Sequence, residues 1–253
     1  MNLFSPLTKE QQSEIILPPQ KTKLNEAQDT ALNPTRIYEI PHIKKEIFKQ
    51  SVQKQAWDDF TQQADNLSIS NQNKKIIGII YAMEGGVSKH PGSSKTVAGI
   101  TSTILKEGLD KNWIQSTSDE TGKNILEPAD LSAKQRVQIY TSYLNAAFGK
   151  GQNGGLAILD KYPPKVASHM ADTVFRAGIS GGGKMIEEAI NRSGGHTAID
   201  GKVQDNALKA LDSLISQGKQ NAFLNNLSDV RNEIYRDKGD TLRSDYFRPD
   251  TKI

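Results

Sequence analysis

The feature that most constrains this chain is the run IIGIIYAM, Ile76 to Met83, which ends abruptly in Glu84-Gly85-Gly86. Apolar side chains at 76, 77, 79, 80 and 83 cover most of a helix's circumference, so a helix here must be buried on nearly every side. Such a helix needs other elements packed around it and thereby fixes a globular core. The run is far too short to span a bilayer and is not read as a transmembrane segment. The spacing predicts a helix over Asn71 to Glu84, with Asn71 and Asn73 as candidate caps and the glycine pair as its terminator.

Around it the pattern is helical almost throughout. Apolar stripes bounded by Gly, Pro, Ser or Asp predict helices at Thr101 to Gly108, Ser132 to Phe148, Pro163 to Ala177, Lys184 to Arg192, Val203 to Ile215 and Phe223 to Lys238. The glycine-rich pieces GKGQNGG, GISGGGK and NRSGG read as loops. Strand alternation is nearly absent, with room for a short β-ribbon within Ser88 to Ile100 or Ile114 to Ile125. The expected fold class is therefore mainly α.

Residues 1–40 read as a flexible extension, because five prolines in the first 41 positions and many Gln, Lys, Asn and Thr leave little apolar surface to bury. Residues 41–70 follow as a polar helix with Ile43, Ile47, Val52, Trp57 and Phe60 on its inner face, either a linker or the first element of the domain, and are assigned as a linker helix. The main domain is placed at 71–240, with a C-terminal tail at 241–253.

Composition narrows the chemistry. There is no cysteine, which removes disulfides, zinc-thiolate sites and thiol nucleophiles together. The four histidines show no metal-ligand spacing, so no metal is expected. A net charge of +3 falls short of the dense basic face of a nucleic-acid binder, so no nucleic-acid partner is expected. The first twenty residues lack a basic stretch followed by an apolar core and do not read as a signal peptide. The chain is expected to be made in the cytoplasm, with its site of action a separate matter.

Glu84 is where chemistry enters. A carboxyl group at the end of a buried helix is partly out of water and close to the negative pole of the helix. Both effects disfavour the charged form, which is the condition a general acid needs to hold its proton near neutral pH. The following glycines leave room for a bulky polymer to approach. A helix-terminal glutamate followed by a glycine cap is also a common structural arrangement, and spacing alone leaves both readings standing.

Glu84-Gly85-Gly86, a polar loop, then Thr96-x-x-Gly99-Ile100-Thr101 resembles the signature of glycoside hydrolase family 108, N-acetylmuramidases with a lysozyme-like helical fold. A second block, ADTVFRAGISGGGKMIEEAIN, resembles the family's Asp-x-Ala-Val-Asn-x-Gly segment through Asp172, Val174 and Gly178. A third, AIDGKVQDNALKALDSL, resembles a peptidoglycan-binding-like stretch through Asp200, Gly201, Val203 and Leu208. The similarity runs over roughly Asn71 to Lys238. The chain departs from the family in having no carboxylate between Glu84 and Thr101, Arg176 in place of the usual Asn, and Gln204 and Ala207 in place of Gly and Thr.

The resemblance implies a muramidase that cleaves peptidoglycan glycan strands between N-acetylmuramic acid and N-acetylglucosamine, with Glu84 as acid and no cofactor. Such chemistry ordinarily uses two carboxyl groups. Three routes stay open: Thr96, aided by His90, positions a water; another acid, among Asp110, Asp119, Glu120 and Asp172, folds into the cleft; or Glu84 acts alone, as in a lytic transglycosylase. The first is preferred for hydrolysis. Asp172 either lines the cleft or satisfies nearby backbone groups, and Tyr143, with Tyr140, either stacks on sugar rings or packs in the core. A muramidase without a signal peptide implies delivery to the periplasm or wall, as a phage-type lysin or a secreted antibacterial effector with an immunity protein as partner. A non-catalytic peptidoglycan-binding component of a phage or secretion machine is the reading from another class.

Overall fold

Helical spacing becomes helix almost wherever it occurs. The computed structural model describes residues 51–84, 87–88, 96–114, 117–118, 122, 124–149 and 154–235. The extension at 1–40 and the tail at 241–253 lie outside the described residues. The fold is mainly helical: α1 (Ser51–Ala64), α2 (Asn71–Glu84), β1 (Val87–Ser88), β2 (Thr96–Val97), α3 (Ser102–Asp110), α4 (Ala133–Ala147), α5 (Pro164–Ala177), α6 (Ile179–Arg192), α7 (Asp205–Ser216) and α8 (Gln220–Tyr235). Two 3₁₀ helices, Pro128–Asp130 and Gly155–Lys161, join them. The two strands form an antiparallel pair, Val87 opposite Val97 and Ser88 opposite Thr96. Among the described residues no helix is long and apolar enough to cross a membrane.

α2 runs through the core as its apolar wrap requires, with every residue from Ile76 to Ala82 buried. Its cap is one residue earlier than expected: the Asn73 amide donates to Ser70 Oγ at 3.1 Å. Asn73 is instead buried and donates its side-chain amide to the Leu156 carbonyl at 2.8 Å. Gln72 donates to the carbonyls of Leu159 and Tyr162, so the N-terminal turn of α2 is fastened to the second 3₁₀ helix.

The helix expected as a linker is part of this core. Phe60 is fully buried and Trp57 nearly so, because α1 packs along α2 at Gly78. A Cβ on Gly78 would come within 2.7 Å of the Phe60 ring, so the missing side chain is what lets the two helices approach. From there a chain of aromatic rings crosses the domain: Trp57, Phe60, Tyr81, Tyr140, Phe175, Tyr143 and Trp113, with successive centroids 4.4–6.4 Å apart. Arg136 on α4 adds polar ties, donating to the Tyr81 hydroxyl at 2.8 Å and pairing with Asp59 of α1 at 3.4 Å.

The segment GISGGGK is not a loop: residues 179–184 form the first turns of α6. The glycines that suggested flexibility are there for proximity. A Cβ on Gly182 would lie 2.4 Å from Val174 Cα, and one on Gly183 would lie 2.3 Å from the Gly201 carbonyl oxygen. α6 can therefore lie directly against α5 and the 200–202 turn, a contact any larger residue would block. Glu187 completes the junction by accepting from the amides of Gly201 and Lys202 at 2.7 and 3.0 Å. Burial pushes its carboxyl up, helped by a side-chain hydrogen bond with Asp200.

Candidate functional site

α2 delivers Glu84 to the end of the buried helix, half-buried as its position requires. The chain returns through β2 into a tight turn, Val97 to Ile100. Ile100 donates its amide to the Val97 carbonyl at 2.9 Å, and Val97 donates to Ile100 at 3.3 Å. Both central residues have positive φ, 48° at Ala98 and 71° at Gly99, the left-handed pair of a type I′ turn. Ala98 and Ile100 are buried, so this turn is part of the core rather than a surface excursion.

The turn meets Glu84 at Gly99. A Cβ on Gly99 would lie 2.7 Å from Glu84 Oε2 and 3.0 Å from its Cδ and Cγ. The glutamate thus rests its carboxyl group on the bare backbone of a glycine fifteen positions further on. That contact joins the two halves of the motif read in the sequence. Thr101, the last motif residue, serves the fold: its Oγ1 accepts from the Ile104 amide at 3.2 Å and caps α3. Thr96 lies in β2 opposite Ser88. His90, Gly85 and Gly86 lie outside the described residues, as do Asp119 and Glu120.

Two of the expected substrate residues face the interior instead. Asp172 is fully buried on α5, and its Oδ2 accepts from Arg231 Nη2 of α8 at 2.6 Å. It cannot line a cleft in this structure, because α5 is enclosed on all sides from Val166 to Phe175. Tyr143 is 5% exposed, with its ring edge-on to both Trp113 and Phe175. It packs in the core and offers no face for a sugar. Burial raises its phenol pKa, with the nearby Glu107 adding to the effect. Asp110 ends α3 on the exposed surface.

Two adjoining cavities lie elsewhere, on the side of α7. One of about 980 Å³ is bordered by Lys161, Tyr162, Glu187, Asp200 and Asp212, and one of about 710 Å³ by His196, Lys209 and Ser213. Glu84 lines neither. Among the described residues no group of three or more His, Asp or Glu could hold a metal ion.

Tyr140 packs in the core, the second of the two roles its helical position allowed, with its ring fully buried between Tyr81 and Phe175. Its phenol also has a role that sequence reasoning missed. The Tyr140 hydroxyl donates to the Ala98 carbonyl in the turn that supports Glu84. No spacing rule links positions 98 and 140.

Comparison with protein-family models, with curated proteins and with solved structures finds no match to this chain.

Proposed function

We propose that the chain is a peptidoglycan muramidase with a lysozyme-like helical domain, and that Glu84 is its general acid. The observation that carries this reading is the seating of the Glu84 carboxyl on Gly99. It makes one local unit of Glu84 and Gly99, two positions that carry the resemblance, and leaves the acid half-buried at a helix end. In the reaction the Glu84 carboxyl gives its proton to the glycosidic oxygen as the bond from C1 of N-acetylmuramic acid breaks. A water held by Thr96 adds to C1 and returns its proton to the carboxylate. Because the substrate is the wall polymer, the enzyme acts in the periplasm or on the wall, as a lysin or antibacterial effector.

One observation favours a second reading. The burial of Asp172 removes one of the acids able to assist Glu84, which strengthens a single-carboxyl route. There the sugar's own C6 hydroxyl attacks C1, Glu84 acting first as acid and then as base. Mass spectrometry of digested purified peptidoglycan separates the two. Hydrolysis is expected, with new reducing N-acetylmuramic acid ends and the mass of one water gained at each cut. Mainly anhydro ends would move the assignment to the transglycosylase route, and no cleavage at all would overturn the enzymatic reading.

Gly99→Ala tests the seat of the acid. A methyl group there costs about 1–2 kcal/mol for the left-handed backbone and pushes on the far end of a flexible side chain, which can swing away. Activity on peptidoglycan is therefore expected to fall by roughly 10- to 100-fold while Tm drops only a few degrees. Wild-type turnover in Gly99→Ala would show that the contact is incidental.

A further inference from the structure

We propose that Tyr140 is the positioning residue of the Glu84 site, acting through the carbonyl of Ala98; the proposal rests on the assignment of Glu84 as the acid. Three contacts in series carry it. The Tyr140 ring is stacked on Phe175, with centroids 4.4 Å apart and planes inclined by 23°, and lies edge-on to Tyr81 at 5.1 Å. A ring packed on both sides cannot swing, so the direction of its hydroxyl is set. That hydroxyl donates to the Ala98 carbonyl. Ala98 is followed by Gly99, whose bare Cα carries the Glu84 carboxyl.

The hydrogen bond matters because the turn, although closed by two backbone bonds between Val97 and Ile100, carries a left-handed alanine. Ala98 has φ of 48°, a conformation that an alanine avoids because its Cβ crowds the following carbonyl. Its carbonyl is in the interior, where an acceptor without a donor is costly. Tyr140 offsets both by giving that carbonyl a partner in the left-handed conformation. Without the hydroxyl, the 97–100 turn relaxes, Gly99 moves off the acid, and Glu84 loses part of what holds it in place. Small displacements of a reacting group are expensive in rate and cheap in binding.

The test is Tyr140→Phe in the full chain, assayed on purified soluble peptidoglycan fragments beside wild type and Tyr81→Phe. The control removes a hydroxyl that is equally buried but accepts from Arg136 and does not touch the turn. Tyr140→Phe is expected to lower kcat at least tenfold with KM within twofold, and Tyr81→Phe to keep kcat within about twofold. The amide of Ile100, bonded across the turn to Val97, should exchange faster in Tyr140→Phe while amides of α5 and α6 keep their protection. Adding Ala98→Gly should recover much of the lost kcat, because glycine takes the left-handed conformation without a tether. This rescue also serves if the single variant folds poorly. Wild-type kcat in Tyr140→Phe, equal losses in the two tyrosine variants, or no recovery on adding Ala98→Gly would overturn the positioning role. An inactive wild-type protein would overturn the muramidase reading itself, and a wild type that depends on Glu84 but not on Tyr140 overturns only the present proposal.

Discussion

Glu84→Gln is expected to slow peptidoglycan cleavage by roughly 10³-fold or more, the upper part of what general acid catalysis contributes. The amide has the shape of the acid and can rest on Gly99 in the same way, but it has no proton of the required acidity to give. Folding should be nearly untouched. Glu84 is half-buried at the last residue of α2, beyond the enclosed stretch Ile76 to Ala82, so the exchange removes no packing. The expected result is an unchanged helical circular dichroism spectrum, a Tm within a few degrees of wild type, and retained binding to sacculi without clearing. Clearing by the variant at a rate comparable to wild type would remove Glu84 from the chemistry and the muramidase assignment with it.

What the sequence revealed depended on whether the cause was local. The bounds of α2 coincide with those expected, because an apolar wrap acts within a few residues. The glycines of α6 misled for the same reason. Read locally, GISGGGK signals a loop, yet its glycines answer to Val174 and Gly201, backbone neighbours that only the folded chain brings there. Trp57 and Phe60 were legible as an inner face, but the surface they cover, at Gly78, was not. Glu84 and Gly99 could be singled out as motif positions without any sign that one sits on the other. Asp172 shows the limit most plainly. Its two roles, lining a cleft or satisfying groups in the interior, stayed open in the sequence because its partner Arg231 is 59 positions away, and no periodicity carries that distance.

Arg231→Met should cost about 3–5 kcal/mol of stability, because it withdraws the cation that holds a carboxylate in the interior. For a domain of this size that corresponds to a fall in Tm on the order of 10 °C. The pair ties α8 to α5, and His169, buried one turn before Asp172, shares its surroundings. Burial is the main reason the His169 pKa is pushed down to about 3, and the positive charge of Arg231 lowers it further, against the opposing pull of Asp172. The folded protein therefore keeps His169 neutral at pH values where the unfolded chain, with an ordinary pKa near 6.5, has already bound a proton. Stability linked to this group is complete above about pH 6.5 and is lost steadily as pH falls from there towards 3. In Arg231→Met the cation is gone while Asp172 remains, so a protonated His169 gains a favourable neighbour. The variant should be much less stable than wild type at pH 7 and should lose less further stability between pH 6.5 and 4. Thermal melts of both proteins across that range measure the effect. Parallel curves would show that His169 does not sense Arg231, and a Tm at pH 7 within two degrees of wild type would show that the ion pair contributes little to holding α8 on α5.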